Sequence, residues 1–313
     1  TEIYTLSLHD ALPIYHDLGK AYFMNRDYKK ALEHVQYALN RNSSMIPYYI
    51  TLSQIYDHMQ LEKKALAALQ DALVIDRSMV DIYIERGNIN KNAGRFEDAL
   101  KEYNIAALIK PELWLSHYKS GVALYYLTRL DEAEAAFLKA EELQPENGST
   151  DHFLGIISLA KDKNKEAENW LLKAAELEVV SADVWFHLGE AQMRLGQWKN
   201  AEKSLLQSYN LDSYNAESLY SLGQVYKKRG KLDKSLEYLN KFKEIEEFGR
   251  KTESLNKIIR LHPDDLTLRL ELATLYEDQK RIDQAVMILH QAAYLGSIEA
   301  EKKLKILFKI NHP

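Results

Sequence analysis

The sequence predicts an all-α solenoid of about eight helix–turn–helix units closed by a C-terminal capping helix. Three observations carry this expectation. Small residues recur every 34 positions, large apolar residues recur between them at helical spacing, and only 12 Gly and 6 Pro interrupt 313 residues. With 46% hydrophobic and 28% charged residues, the composition suits long runs of helix and leaves little for turn-rich strands. A single compact core stops growing near this length, whereas an array of stacked units does not.

The first fourteen residues, Thr1 to Ile14, resemble the translation of a sequencing-adapter oligonucleotide, and Pro13 with no 3.6-residue pattern argues against a helix there. The repeats are expected from Tyr15. One column of period 34 holds Ala31, Ala65, Ala99, Ala133, Ala167, Ala201 and Ser235. A second holds Ala38, Ala72, Ala106, Ala140, Ala174 and Ser208, and a third Gly19, Ser53, Gly87, Gly121, Gly155, Gly189 and Gly223. Such columns mark where two helices approach most closely, because a larger side chain would hold them apart. Val35, Leu69, Tyr103, Phe137, Leu171, Leu205 and Leu239 follow the first column by four residues, on the same helix face, and form a core stripe.

The units so defined run 12–45, 46–79, 80–113, 114–147, 148–181, 182–215 and 216–249. Within them, Ala93-Gly94-Arg95, Leu195-Gly196-Gln197 and Arg229-Gly230-Lys231 supply turns, and Pro111, Pro145 and Pro263 stand where units meet. After the seventh unit the register slips by 16 residues while apolar residues keep a spacing of three or four, which predicts a long second helix, 233–261, with Gly249 as its bend. The expected organisation is therefore repeats over 15–249, an inserted helical extension over 250–265, an eighth repeat over 266–296, and a capping helix and tail over 297–313. Ala300, Leu304 and Leu307 face inward in that cap, among many Lys and Glu.

This register resembles the tetratricopeptide repeat, and 80–113 is a good specimen, with Tyr83, Gly87, Gly94, Phe96, Ala99, Tyr103, Ala106 and Pro111 at the family's positions. Asn164 and Phe242 depart from its pattern. The resemblance implies a right-handed superhelix whose first helices line a concave face that takes up extended peptides. It also implies that the second, fifth, ninth and twelfth residues of each unit point into that groove. In the middle units these include Leu115, Tyr118, Val122, Tyr125, His152, Phe186 and Tyr220, the candidate peptide-binding residues. Some of them would alternatively pack between adjacent first helices. A subclass that grips a C-terminal carboxylate through Lys and Asn at the fifth and ninth positions is not matched, since His16 with Lys20, Ile50 with Gln54 and Ile84 with Asn88 stand there. A ladder of Asn at the sixth position is not matched either, because Thr51, Glu85, Lys119, Phe153, His187 and Ser221 occupy it.

The remaining function classes find little support. A formal charge of -5 with interleaved signs offers no field for a phosphate backbone, so nucleic acid is not the expected partner. No uncharged run approaches the roughly 20 apolar residues of a membrane span. With no Cys there is no disulfide framework, thiolate metal site or Cys nucleophile. Nucleotide-binding and zinc-protease motifs are missing from the sequence. His117, His152 and His187 recur every 35 residues but are expected to be satisfied or solvent-facing rather than to hold a metal. Acidic pairs such as Asp131-Glu132, Glu141-Glu142 and Glu246-Glu247 are expected on solvated helix faces. The expected function is thus a non-catalytic scaffold for a protein or peptide partner, with no catalytic residue, cofactor or metal. The alternative is the regulatory or targeting arm of a larger enzyme, a transferase or a signalling kinase.

Overall fold

Seventeen α-helices and no strand make up the described residues, 8–177 and 181–311, of the computed structural model. The chain divides into two units, residues 1–179 and 180–313. In the first, the helices are α1 (Leu8–Met24), α2 (Tyr28–Arg41), α3 (Ile46–His58), α4 (Glu62–Ile75), α5 (Val80–Asn92), α6 (Phe96–Ile109), α7 (Trp114–Tyr126), α8 (Leu130–Leu143), α9 (Gly148–Ala160) and α10 (Asn164–Glu176). In the second they are α11 (Ala182–Arg194), α12 (Trp198–Leu211), α13 (Ala216–Lys228), α14 (Leu232–Leu261), α15 (Leu266–Asp278), α16 (Ile282–Tyr294) and α17 (Ile298–Asn311). Residues 1–7 of the adapter-like segment lie outside the described residues. Its remainder belongs to α1, which continues through Pro13, and Leu12 is buried.

Helices of this length are marginal alone and are stabilised by their neighbours. Each odd-numbered helix packs on the even-numbered helix that follows it, and within each unit the pairs stack in chain order. The close approach has a simple cause. A methyl group on Gly121 would come within 2.9 Å of the Phe137 ring, and one on Gly223 within 2.7 Å of Leu239, so the first helix yields its side chain to the large residue of the second. Ala133, Phe137 and Ala140 follow one another along one face of α8, each with no exposed surface. Ala133→Leu is expected to lower stability by about 1–3 kcal/mol through overpacking, read as a lower urea midpoint. An unchanged midpoint would mean that the α7–α8 contact is looser than this geometry.

Two local devices recur. The residue that turns each of the first seven of these first helices into its second lies in the left-handed region, at Arg26, Gln60, Gly94, Thr128, Asp162, Gly196 and Gly230, again every 34 positions, and Lys280 does the same between α15 and α16. Thr128, at φ 60, holds this conformation despite its branched β-carbon. The fourth residue of several first helices reaches back to tie down the preceding loop. Tyr49 Oη donates to Ser43 O (3.0 Å), Tyr83 Oη to Arg77 O (2.9 Å) and His117 Nε2 to Pro111 O (2.8 Å), and Arg269 bonds Pro263 O.

In the second unit α14 runs 30 residues and serves two pairs. Its N-terminal half packs on α13. Further along, Phe248 meets the Tyr276 ring edge-on at 5.5 Å, while Leu255 and Ile259 join the core of α15, α16 and α17. The turn before α13 is tied to the turn after α15, because Tyr214 Oη donates to Gln279 O (2.8 Å) and the Arg281 guanidinium lies 4.1 Å over the Tyr214 ring. Ala300 and Leu304 of α17 are buried in the same core.

Candidate functional site

First helices of successive pairs touch one another, α1 with α3 and α3 with α5 in the first unit and α11 with α13 in the second. Successive second helices are not packed to that extent among the described residues. Where they are in contact, the first helices thus lie closer to one another than the second helices do.

In the first unit, Tyr118 and Tyr125 of α7 come together on Phe153 of α9, with ring centroids 6.0 and 5.5 Å from it. Phe153 in turn stacks on Phe137 at 4.9 Å. Leu115, Tyr118 and Tyr125 are half-buried against this core. Burial pushes the Tyr118 phenol up, although a hydrogen bond with Ser149 opposes it. His152 is half-buried beside Phe153, whereas Val122 is only 8% exposed and belongs to the core rather than to the face. In the second unit, Phe186 is half-buried against the core that includes Ala201, Leu205 and Leu222, and Tyr220 is 47% exposed, 5.3 Å from the Phe242 ring. Phe242 thus fills a family Ala position by supporting an inner-face aromatic.

Other polar groups have structural duties. His187 Nδ1 donates to Asp183 O at 2.7 Å, and His16 is buried against Thr51 Oγ1 at 2.9 Å, with its pKa lowered by burial and then by Lys20. No group of three or more potential metal ligands occurs among the described residues. One expectation is corrected: Glu141 is not on a solvated face. Its side chain is 13% exposed and pairs with Lys173, which also holds the fully buried Asp151 at 3.2 Å. The expectation failed because Lys173 lies a full repeat away from Glu141, beyond the local spacing from which a surface pair is inferred. Glu142 beside it is 69% exposed.

Residues 84–152 match one family model of the tetratricopeptide repeat, and 182–215 and 216–248 match another. The chain carries tetratricopeptide repeats. Among solved structures, the tetratricopeptide-repeat protein YrrB is 24% identical, covering 57% of this chain and 92% of its own, with a TM-score of 0.51. The Pseudomonas aeruginosa protein pilF is 20% identical over 77% of this chain and 99% of its own, with a TM-score of 0.57. PilW, a type IV pilus biogenesis factor, is 19% identical over 66% and 96%, with a TM-score of 0.58. No curated protein sequence matches the chain. These likenesses establish the tetratricopeptide-repeat fold, and the side chains on its inner faces are this chain's own.

Proposed function

We propose that the chain is a non-catalytic scaffold whose first helices take up a peptide or protein partner on their inner face. The observation that carries this reading is the set of aromatic side chains kept at the inner faces at partial exposure: Tyr118 and Tyr125 in the first unit, Phe186 and Tyr220 in the second. Tyr220 is left 47% exposed there, and partly exposed aromatic rings are the usual anchors of a partner's apolar side chains. YrrB, a tetratricopeptide-repeat protein with an unusual peptide-binding site, supports the same use of the fold.

A phage-displayed random peptide library selected on the full chain tests this. Selected peptides are expected to bind about tenfold more weakly to Tyr125→Ala or Tyr220→Ala, with helicity by circular dichroism unchanged. Leu108→Ala, which truncates a side chain that is 80% exposed on the second helix α6, should leave binding intact. Equal losses for all three variants, or loss only for Leu108→Ala, would move the site off the first helices.

A further inference from the structure

Leu232 and Leu236, one turn apart at the start of α14, are each 61% exposed. In the six preceding pairs the residue at Leu236's position, from Leu32 through Leu100 to Glu202, is buried or half-buried, and the residue at Leu232's position, from Tyr28 to Trp198, is half-buried. Where the cover is seen, it comes from the following first helix or its turn: Tyr126 of α7 stacks on Phe96 at 4.8 Å, Lys161 bonds Glu134, and Lys228 of α13 lies 6.0 Å over the Trp198 ring. At α14 this pattern breaks off. The helix runs on to Leu261, and α15, α16 and α17 pack against its later half, at Phe248, Leu255 and Ile259. The register slip of 16 residues therefore leaves one stacking position open within the second unit.

The charges around this opening select what fits it. At the position of Asp233, two earlier pairs also carry a carboxylate, Glu97 and Asp131, and each receives a cation from the following turn: Arg129 lies 3.7 Å from Glu97, and Lys161 bonds Asp131. Asp233 forms no ion pair with a described residue. The basic residues nearest it in sequence are engaged elsewhere, since Arg229 and Lys231 pair with Glu202 of α12 and Lys234 lies 5.4 Å over the Tyr226 ring. Along α14, Asn240 and Lys243 continue the face of Leu232 and Leu236, and Asp233, Glu237 and Glu244 border it, with Glu237 bonded to Lys241. The exposed cations are Lys243 on that face and Lys227 across the turn. Two exposed leucines four residues apart match the anchor spacing of a helix, and a row of three carboxylates opposes an anionic lipid surface. We propose that the start of α14 is a docking surface for an amphipathic helix of another protein, which takes the open stacking position, sets apolar side chains on Leu232 and Leu236 and brings an Arg or Lys to Asp233. This surface lies on a second helix and is separate from the first-helix face.

A phage-displayed library of one stable helix randomised along one face, selected on the full chain, tests this. Enriched helices are expected to carry apolar residues at a spacing of three or four beside an Arg or Lys. Leu236→Glu and Asp233→Lys should each weaken their binding about tenfold, the scale of losing one anchor or one charged contact, with helicity by circular dichroism unchanged. Replacing the basic residue of a selected helix by Glu should restore binding to the Asp233→Lys chain, a rescue that general damage to the fold would not allow. Leu138→Glu, at a side chain 45% exposed on α8, should leave binding intact. The proposal is overturned if no enriched helix depends on Leu236, or if the enriched helices are acidic beside their apolar residues. It is overturned equally if Leu236→Glu abolishes sedimentation with phosphatidylcholine–phosphatidylserine vesicles, which makes the occupant a lipid surface, or abolishes a dimer seen by analytical ultracentrifugation, which makes it a second copy of the chain. The selected helices should bind Tyr125→Ala as tightly as the wild type, so failure here leaves the first-helix reading standing, and failed peptide selection there leaves this surface standing.

Discussion

Phe137→Ala is expected to destabilise the chain by about 3–5 kcal/mol, the largest effect of any single truncation considered. Phe137 has no exposed surface, fills the space that Gly121 leaves on α7, and stacks on Phe153 of α9 at 4.9 Å. One side chain therefore joins three helices, and its removal opens a cavity that neither Gly121 nor the rigid rings beside it can fill. In a stack stabilised by nearest-neighbour packing the damage should stay local. Amide hydrogen exchange should accelerate in α7, α8 and α9 and stay at the wild-type rate in α15 to α17. Leu138→Ala, next in sequence but 45% exposed, should cost less than about 1 kcal/mol. Acceleration spread evenly over the chain would show that the array unfolds as one cooperative body.

Much of this fold is legible in the sequence because one physical constraint repeats. Gly121 facing Phe137 and Gly223 facing Leu239 are the same contact, and its period is visible without knowledge of any structure. The turn conformation is only half visible. Gly94, Gly196 and Gly230 announce a left-handed residue, but Arg26, Gln60 and Thr128 adopt it with side chains that carry no such signal. The back-reaching bonds of Tyr49, Tyr83, His117 and Arg269 are hidden because three residue types perform one task. The Tyr214 to Gln279 bond joins residues 65 apart and depends on how α14 spans two pairs, which no local pattern states.

The candidate site was legible only in part. Helical position correctly brings Tyr118 and Tyr125 to one side, yet it cannot tell Val122, which turns into the core, from Tyr220, which stays 47% exposed. That difference depends on whether a neighbour such as Phe153 is large enough to cover the position.

A second large effect is expected from pH, at a group that carries no role on the inner face. Asp151, in the first turn of α9, has no exposed surface and lies 3.2 Å from Lys173. Burial first, and then the charge of Glu141, push its carboxyl up from 3.8 to about 6, against the pull of Lys173. The folded chain therefore holds this proton more tightly than the unfolded chain does. The stability it contributes is complete below pH 3.8 and is lost as pH rises through about 6, a change of up to about 3 kcal/mol. Asp151→Asn removes the titration and leaves Lys173 paired with Glu141. Compared by urea denaturation at a series of pH values, the variant should resemble the wild-type chain near the acid end of that window. It should gain on the wild type as pH rises through it, becoming the more stable of the two by about 1–3 kcal/mol above pH 7. Groups such as Asp98 and Asp131, whose pKa values are lowered by Lys101 and Lys161, titrate in both chains and cancel in the comparison. A difference between the two chains that does not change with pH would mean that Asp151 stays ionised in the folded state, with Lys173 outweighing both its burial and Glu141.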